Sequence, residues 1–347
     1  MRRTLILLLL PCTTLLSCRR GQDAPDVSHI DVRMETIRFE REFFSLDTSD
    51  ILSSYAALSR RHPGFAGIFS EHILGIPAED SSGLAVMAFR SFLRDYRPIF
   101  EETQQSMADL SGMESEIRKG LRHVKHYFPG YGLPTRLYTF IGPLDAYAEG
   151  RTGGSGDIIL QDGLGIGLQL HLGKDNVLYT GEAGQRLYPL YISRRFEPAY
   201  APVNCMRNII DDLFPGNPGD ATLLEIMVDK GKRMYLLDRF MPDTHDSLKT
   251  GYTEAQLQTV ERNEGIIWNY FLENDLVYDR DPQRIRPFIG EGPFTQEIGT
   301  EVPGHLALYI GRRIVWAFSR RNPEMPLSEL LKTDARTILR ESGYKPR

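Results

Sequence analysis

Apolar and polar residues alternate along Ile30-Asp-Val-Arg-Met-Glu-Thr-Ile-Arg-Phe39, the period-two pattern of a strand with one buried face. The period then changes. Met107, Leu110, Met113, Ile117, Leu121, Val124 and Phe128 recur every three or four residues, which predicts a helix with one buried stripe, closed by Pro129-Gly130. Leu137–Ile141 is short and apolar and predicts a strand. Asp157–Gln161 and Gly165–Leu172 predict two more, joined by a glycine-containing turn, while Arg151-Thr-Gly-Gly-Ser-Gly156 reads as a loop. Beyond residue 200 the pattern is mainly helical. Asp220 is a candidate cap for a helix through Leu224, Met227, Val228, Gly231 and Tyr235. Thr253-Glu-Ala-Gln256 has capping-box spacing and opens a helix through Val260, Ile267 and Phe271. Gly304–Phe318 and Leu327–Leu339 predict the last two helices. Helices, a small sheet and then several helices give an α+β expectation: mostly helical, with one small antiparallel or mixed β-sheet.

The first residues follow a different logic. Arg2 and Arg3 precede an apolar run, Leu5–Pro11, that is too short for a bilayer core of about 30 Å. Leu15-Leu16-Ser17-Cys18 then has the form of a bacterial lipoprotein cleavage site. The expected organisation is a signal peptide over 1–17, a lipidated Cys18 with a tether over 18–28, and a single domain over 29–347. Each buried acyl methylene contributes about 0.8 kcal/mol, so several chains anchor almost permanently. Residue 19 is Arg rather than Asp, which favours the outer membrane over retention at the inner one. No later run reaches 18 apolar residues, so this lipid is the expected membrane attachment.

Composition narrows the chemistry. The three cysteines are Cys12, Cys18 and Cys205, so the mature chain keeps Cys205 alone and has no pair for an internal disulfide or a CxxC metal site. A net charge of −5 argues against nucleic acid as a partner. Gly163-Leu-Gly-Ile-Gly167 lacks GxGxxG spacing and runs into a strand, so its glycines serve a turn or a close backbone approach. His123 and His126 stand three apart on one helix and lack the glutamate and spacing of HExxH, so a polar helix face is expected there. Asp211-Asp212 and Asp229-Lys230 hold carboxylates for acid–base work, but neighbours on a helix diverge. Arg312, Arg313, Arg320 and Arg321 offer a basic patch, with solvated faces as the plainer expectation. Cys205 reads as a buried thiol, and Trp268 and Trp316 as core residues.

Read together, several segments carry more. They are Thr222–Tyr235 (TLLEIMVDKGKRMY), Met241-Pro242, Gly251-Tyr-Thr253, Asn263–Trp268, Pro293-Phe-Thr295, Ile310–Val315 and Ser342–Pro346, with Cys18, Ile37-Arg-Phe39 and Gly165–Leu170. This combination resembles the gliding motility lipoprotein GldB family of the Bacteroidetes over nearly the whole chain. The resemblance implies an outer-membrane lipoprotein facing the periplasm and working with other envelope lipoproteins in gliding or the linked secretion machinery. A fainter resemblance links the hairpin–helix–TLLxxxVxxG order to putative zinc-dependent proteases and implies a zincin-like scaffold. There one helix carries HExxH and an acidic residue precedes the glycine. Here Asn204–Phe214 contains no histidine, and Lys230 precedes Gly231. That resemblance implies a peptidase scaffold without its metal, with His171, Arg207, Asp211 and Lys230 lining the old cleft.

The expectation is a non-catalytic, lipid-anchored component that binds envelope or motility proteins, with no metal and no cofactor. The alternatives are an envelope hydrolase acting on peptides or peptidoglycan through an unrecognised site, and a ligand-binding lipoprotein.

Overall fold

The computed structural model describes residues 24–77, 83–148, 156–216 and 219–346. The signal peptide, Cys18 and most of the Arg151–Gly156 loop lie outside them.

The early alternation becomes a strand only over β1, Glu35–Arg38, because Phe39 already starts a short helix that carries its ring into the core. β1 pairs in parallel with β2, Arg136–Phe140. β2 pairs in parallel with β4, Gly163–Gly167. β3, Ile158–Ile159, returns antiparallel on the far side of β4, giving the order β1-β2-β4-β3. The sheet is therefore mixed. β2 and β4 read as continuous apolar or glycine runs because they are buried along nearly their whole length. The glycines of β4 make room. A Cβ on Gly165 would stand 2.7 Å from the Ile158 side chain, and one on Gly167 2.9 Å from the Gly156 carbonyl. The predicted strand Gly165–Leu172 ends early, at Gly167, where Leu168–Leu170 tightens into a 3₁₀ turn.

Aromatic rings cover part of the sheet. Phe65 stacks on Tyr138 with centroids 4.6 Å apart, and Phe39 meets Phe65 edge-on at 4.7 Å. Helix Ser111–Tyr127 carries the predicted stripe from Met113 onward, with Ile117, Leu121 and Val124 buried, and ends just before Pro129; Met107 and Leu110 lie outside it, in the turn after helix Arg97–Ser106. Its Gly120 faces Met206 of helix Ala201–Leu213.

The second half is built on one close helix crossing. In helix Leu223–Phe240, Gly231 lies against Gly311 of helix Leu306–Arg321; a Cβ there would stand 2.2 Å from the Gly311 carbonyl oxygen. Around this pair Leu224, Ile267, Phe271, Phe288, Ile314 and Phe318 form a second core. A smaller cluster of Leu170, Tyr179, Tyr188 and Phe196 lies under the segment after the sheet.

Several helix boundaries differ from expectation. The cap of helix Leu223–Phe240 is Thr222, not Asp220: its hydroxyl accepts from the Glu225 amide while the Glu225 carboxylate reaches back to the Thr222 N–H, a complete capping box. The predicted helix Leu327–Leu339 is two helices, Leu327–Lys332 and Ala335–Ser342. Asp334 divides them, because its carboxylate caps the Thr337 amide. Thr253 and Gln256 form the predicted second capping box, but the helix it opens ends at Arg262, and Ile267 and Phe271 belong to a separate helix, Glu264–Glu273.

Candidate functional site

The segment Arg194-Arg195-Phe196 lies where the three apolar clusters approach one another, and Arg195 lines two adjoining clefts. The first, narrow and open to solvent, is bounded by Tyr147, His171, Arg195, Phe196, Tyr200, Asn204 and Arg207. The second is bounded by Arg194, Arg195, Tyr252, Glu291, Gly304 and His305, among others.

The floor of the first cleft is a buried ion pair. The Asp157 carboxylate accepts from His171 Nε2 at 3.0 Å, from Asn204 Nδ2 at 2.8 Å and from the Gly167 amide at 3.0 Å. His171 Nδ1 points at the Glu197 carbonyl, 3.2 Å away. A carbonyl oxygen only accepts, so both ring nitrogens carry protons and His171 is an imidazolium. Burial alone would push the His171 pKa down, but Asp157 outweighs it and holds it above the ordinary value.

Arg207 stands on the wall, donating from one Nη to the Lys249 carbonyl at 2.8 Å. Arg195 holds Glu291 in a fork, Nη1 to Oε1 at 2.8 Å and Nη2 to Oε2 at 2.5 Å. Burial would raise the Glu291 pKa; Arg195 reverses this and keeps the carboxylate ionised. At the inner end Lys230 Nζ lies 3.2 Å from His305 Nε2. An ammonium only donates, so this imidazole accepts and is neutral. Burial, reinforced by Lys230, pulls the His305 pKa to about 3. His305 adopts φ +67° at the start of its helix, fixed by its amide on the Gly290 carbonyl at 2.8 Å. Tyr252 adds its hydroxyl, donated toward the Gly304 and His305 carbonyls.

The charge balance follows. Among the described residues, Arg194, Arg195 and Arg207 line the two clefts and Lys230 lies behind His305; Glu291 is the carboxylate in the lining, while Asp211 and Asp229 act on Arg207 and Lys230 from outside it. His171 and Asp157 cancel, and His305 is neutral. Burial pulls Arg207 and Lys230 below their ordinary pKa values, the sign of cations held away from water. The arrangement can hold an oxyanion.

Of the residues expected at a cleft, His171 and Arg207 face the same one, and Lys230 reaches the second through His305. Asp211 turns to Arg233, which also binds Asp229 at 2.9 Å, while Asp212 accepts from the Tyr131 hydroxyl at 2.7 Å. These carboxylates do not form a catalytic pair. His123 is buried and His126 exposed, so the polar helix face expected for both is wrong for His123. Its neighbours Leu121 and Val124 draw it into the core. Arg312 pairs with Asp238 and Asp246, and Arg313 with Glu264, which breaks up the basic patch. Cys205 is fully buried, and burial pushes its thiol pKa well up. Among the described residues no group of three or more His, Cys, Asp or Glu side chains is placed to hold a metal ion.

The residues missing from the sequence reading are Asp157, Arg195, Asn204, Glu291 and His305. The adjacent arginines 194 and 195 beside Phe196, and Glu291 between two glycines, were the visible signals.

No curated protein and no solved structure matches the chain, and the metallopeptidase likeness finds no support in these comparisons. The family model described as gliding motility protein GldB matches residues 20–346. With that match spanning both cores and the cationic cleft between them, the chain belongs to the gliding motility protein GldB family.

Proposed function

We propose that the protein is an outer-membrane lipoprotein of the gliding motility machinery and its linked secretion apparatus, held at the periplasmic face by Cys18, and that it acts by binding protein partners rather than by turnover. Family membership supports the motility role. The sequence around Cys18 supports the anchor, and none of the described helices is long and apolar enough to cross a membrane.

One observation carries the binding reading: the cleft presents donors, and its imidazoles have no lone pair to spare. His171 is protonated on both nitrogens, and the His305 acceptor is taken by Lys230. A histidine acting as general base needs such a lone pair within reach of a substrate proton, and the Glu291 carboxylate is engaged by Arg195. Arg195 and Arg207 instead suit recognition of an anionic group on a partner.

The test uses the full-length protein in cells. Cys18→Ala is expected to move the protein out of the detergent phase; a variant still processed and membrane-bound like wild type overturns the anchor. Arg207→Ala, at normal abundance, is expected to lose envelope proteins crosslinked to wild type. An unchanged crosslinking pattern, or a peptidase activity lost with Arg207, overturns the binding role of the cleft.

A further inference from the structure

We propose that the Arg195 cleft is a carboxylate-binding site that Glu291 occupies in the free protein, and that a ligand carboxylate binds by taking the place of Glu291. This deepens the binding reading above and rests on it.

The internal occupant defines the ligand. Arg195 meets Glu291 through two parallel N–H···O contacts of 2.8 and 2.5 Å, the planar fork that matches a carboxylate. The two partners are unequally placed. The Arg195 side chain is 15% exposed and the Glu291 side chain 36%, so the acid sits on the solvent side of its partner. Its backbone is tied on both sides: the Gly290 carbonyl accepts from the His305 amide and the Gly292 carbonyl from the Gly304 amide. Glu291 can therefore leave by rotation of its side chain alone, with the loop in place.

More donors surround the fork than one carboxylate can use. Arg194 lines the same cleft, and its buried Nε–H has no hydrogen-bond partner among the described residues. Its Nη2 is already committed to the Gly251 carbonyl at 2.8 Å, which fixes the guanidinium. A buried unpaired donor is costly, on the order of 1–3 kcal/mol, and marks a place where an acceptor is missing. Arg207 stands across the first cleft, which Tyr147 and Tyr200 also line. The incoming group is thus a carboxylate, and the Tyr147, Phe196 and Tyr200 lining suits one carried on an apolar or aromatic body.

Benzoate is the probe, benzamide its neutral counterpart and inorganic phosphate a tetrahedral control, each titrated calorimetrically into the full-length protein in detergent. Wild type is expected to bind benzoate weakly. If Glu291 fills the fork about nine-tenths of the time, Glu291→Gln binds about tenfold more tightly, because the competent fraction rises from about a tenth to one. Arg195→Gln loses benzoate with either residue at 291. Should Arg195→Gln not fold, as judged by its circular dichroism, Arg207→Gln must weaken benzoate binding instead.

Equal binding of benzamide, or unchanged affinity in Glu291→Gln, overturns the proposal. Phosphate binding as tight as benzoate in Glu291→Gln overturns the carboxylate assignment. Crosslinks that vanish in Arg207→Ala while benzoate fails to bind leave the partner-binding role standing and remove this inference alone. Benzoate binding with crosslinks unaffected removes the partner role and leaves the carboxylate site.

Discussion

At Gly311 the chain has no room for a single extra carbon. A Cβ there would stand 1.7 Å from the Met227 carbonyl oxygen, a backbone atom that moves only with its helix. Gly311→Ala is expected to cost more than about 4 kcal/mol or to prevent folding, as read by urea unfolding. Gly120→Ala is the contrast. Its Cβ would meet the Met206 sulfur at 2.5 Å, but that side chain can rotate away, and alanine favours the helix by about 1 kcal/mol. That variant should stay within about 1–2 kcal/mol of wild type, and equal losses at the two sites would refute the distinction. His305 supplies a pH dependence. Its folded pKa is about 3, against about 6.5 when unfolded. Between those values the unfolded chain binds a proton that the folded chain does not. Stability therefore falls as pH drops from about 6.5 toward 3, with a slope of about 1.4 kcal/mol per unit from this group. Asparagine tolerates the left-handed backbone at φ +67°, so His305→Asn should fold and flatten the acid limb by one proton. Unfolding curves across pH decide it: an unchanged slope would mean that His305 is not the group responsible.

At the scale of elements, the ends of helices were more legible than their interiors where a capping pair lies within four residues. Thr253 and Gln256 were readable as a box. Thr222 and Glu225 carry the same signal two residues beyond Asp220, and the complete box at Thr222 sets the helix start. Thr222→Ala is expected to destabilise the protein by about 1 kcal/mol, with Asp220→Ala near neutral. Chemical denaturation separates the two, and the reverse order would restore Asp220 as the cap. Asp334 was a harder case, since the apolar period runs on through it while its side chain starts a new helix. The glycine-rich β4 is a place of close approach, legible in the sequence because its spacing excludes a phosphate loop. Its length was not readable, because the apolar run from Gly165 to Leu172 continues past the last paired residue, Gly167.

Across the whole molecule, the fold class could be anticipated because local periodicity decides it. The cleft could not, because it is assembled from segments far apart in sequence: Asp157, His171, Arg195, Arg207, Glu291 and His305 come from separate elements. His171 and Arg207 came forward only through resemblance, and nothing in the residues flanking Glu291 announces Arg195. The cleft takes Phe196 from the smallest apolar cluster, borders the first core through helix Ala201–Leu213, and touches the second through Tyr252.

One consequence concerns chemical labelling. From residue 19 onward Cys205 is the sole cysteine, and it is fully buried with its thiol held protonated. Thiolate is the reactive form, so a maleimide should pass over the native chain. A cysteine introduced at an exposed position such as Leu190 or Val177 would then be the only reactive handle on this part of the protein. Spectroscopic or crosslinking reporters can be walked over the surface one site at a time without first removing the native thiol.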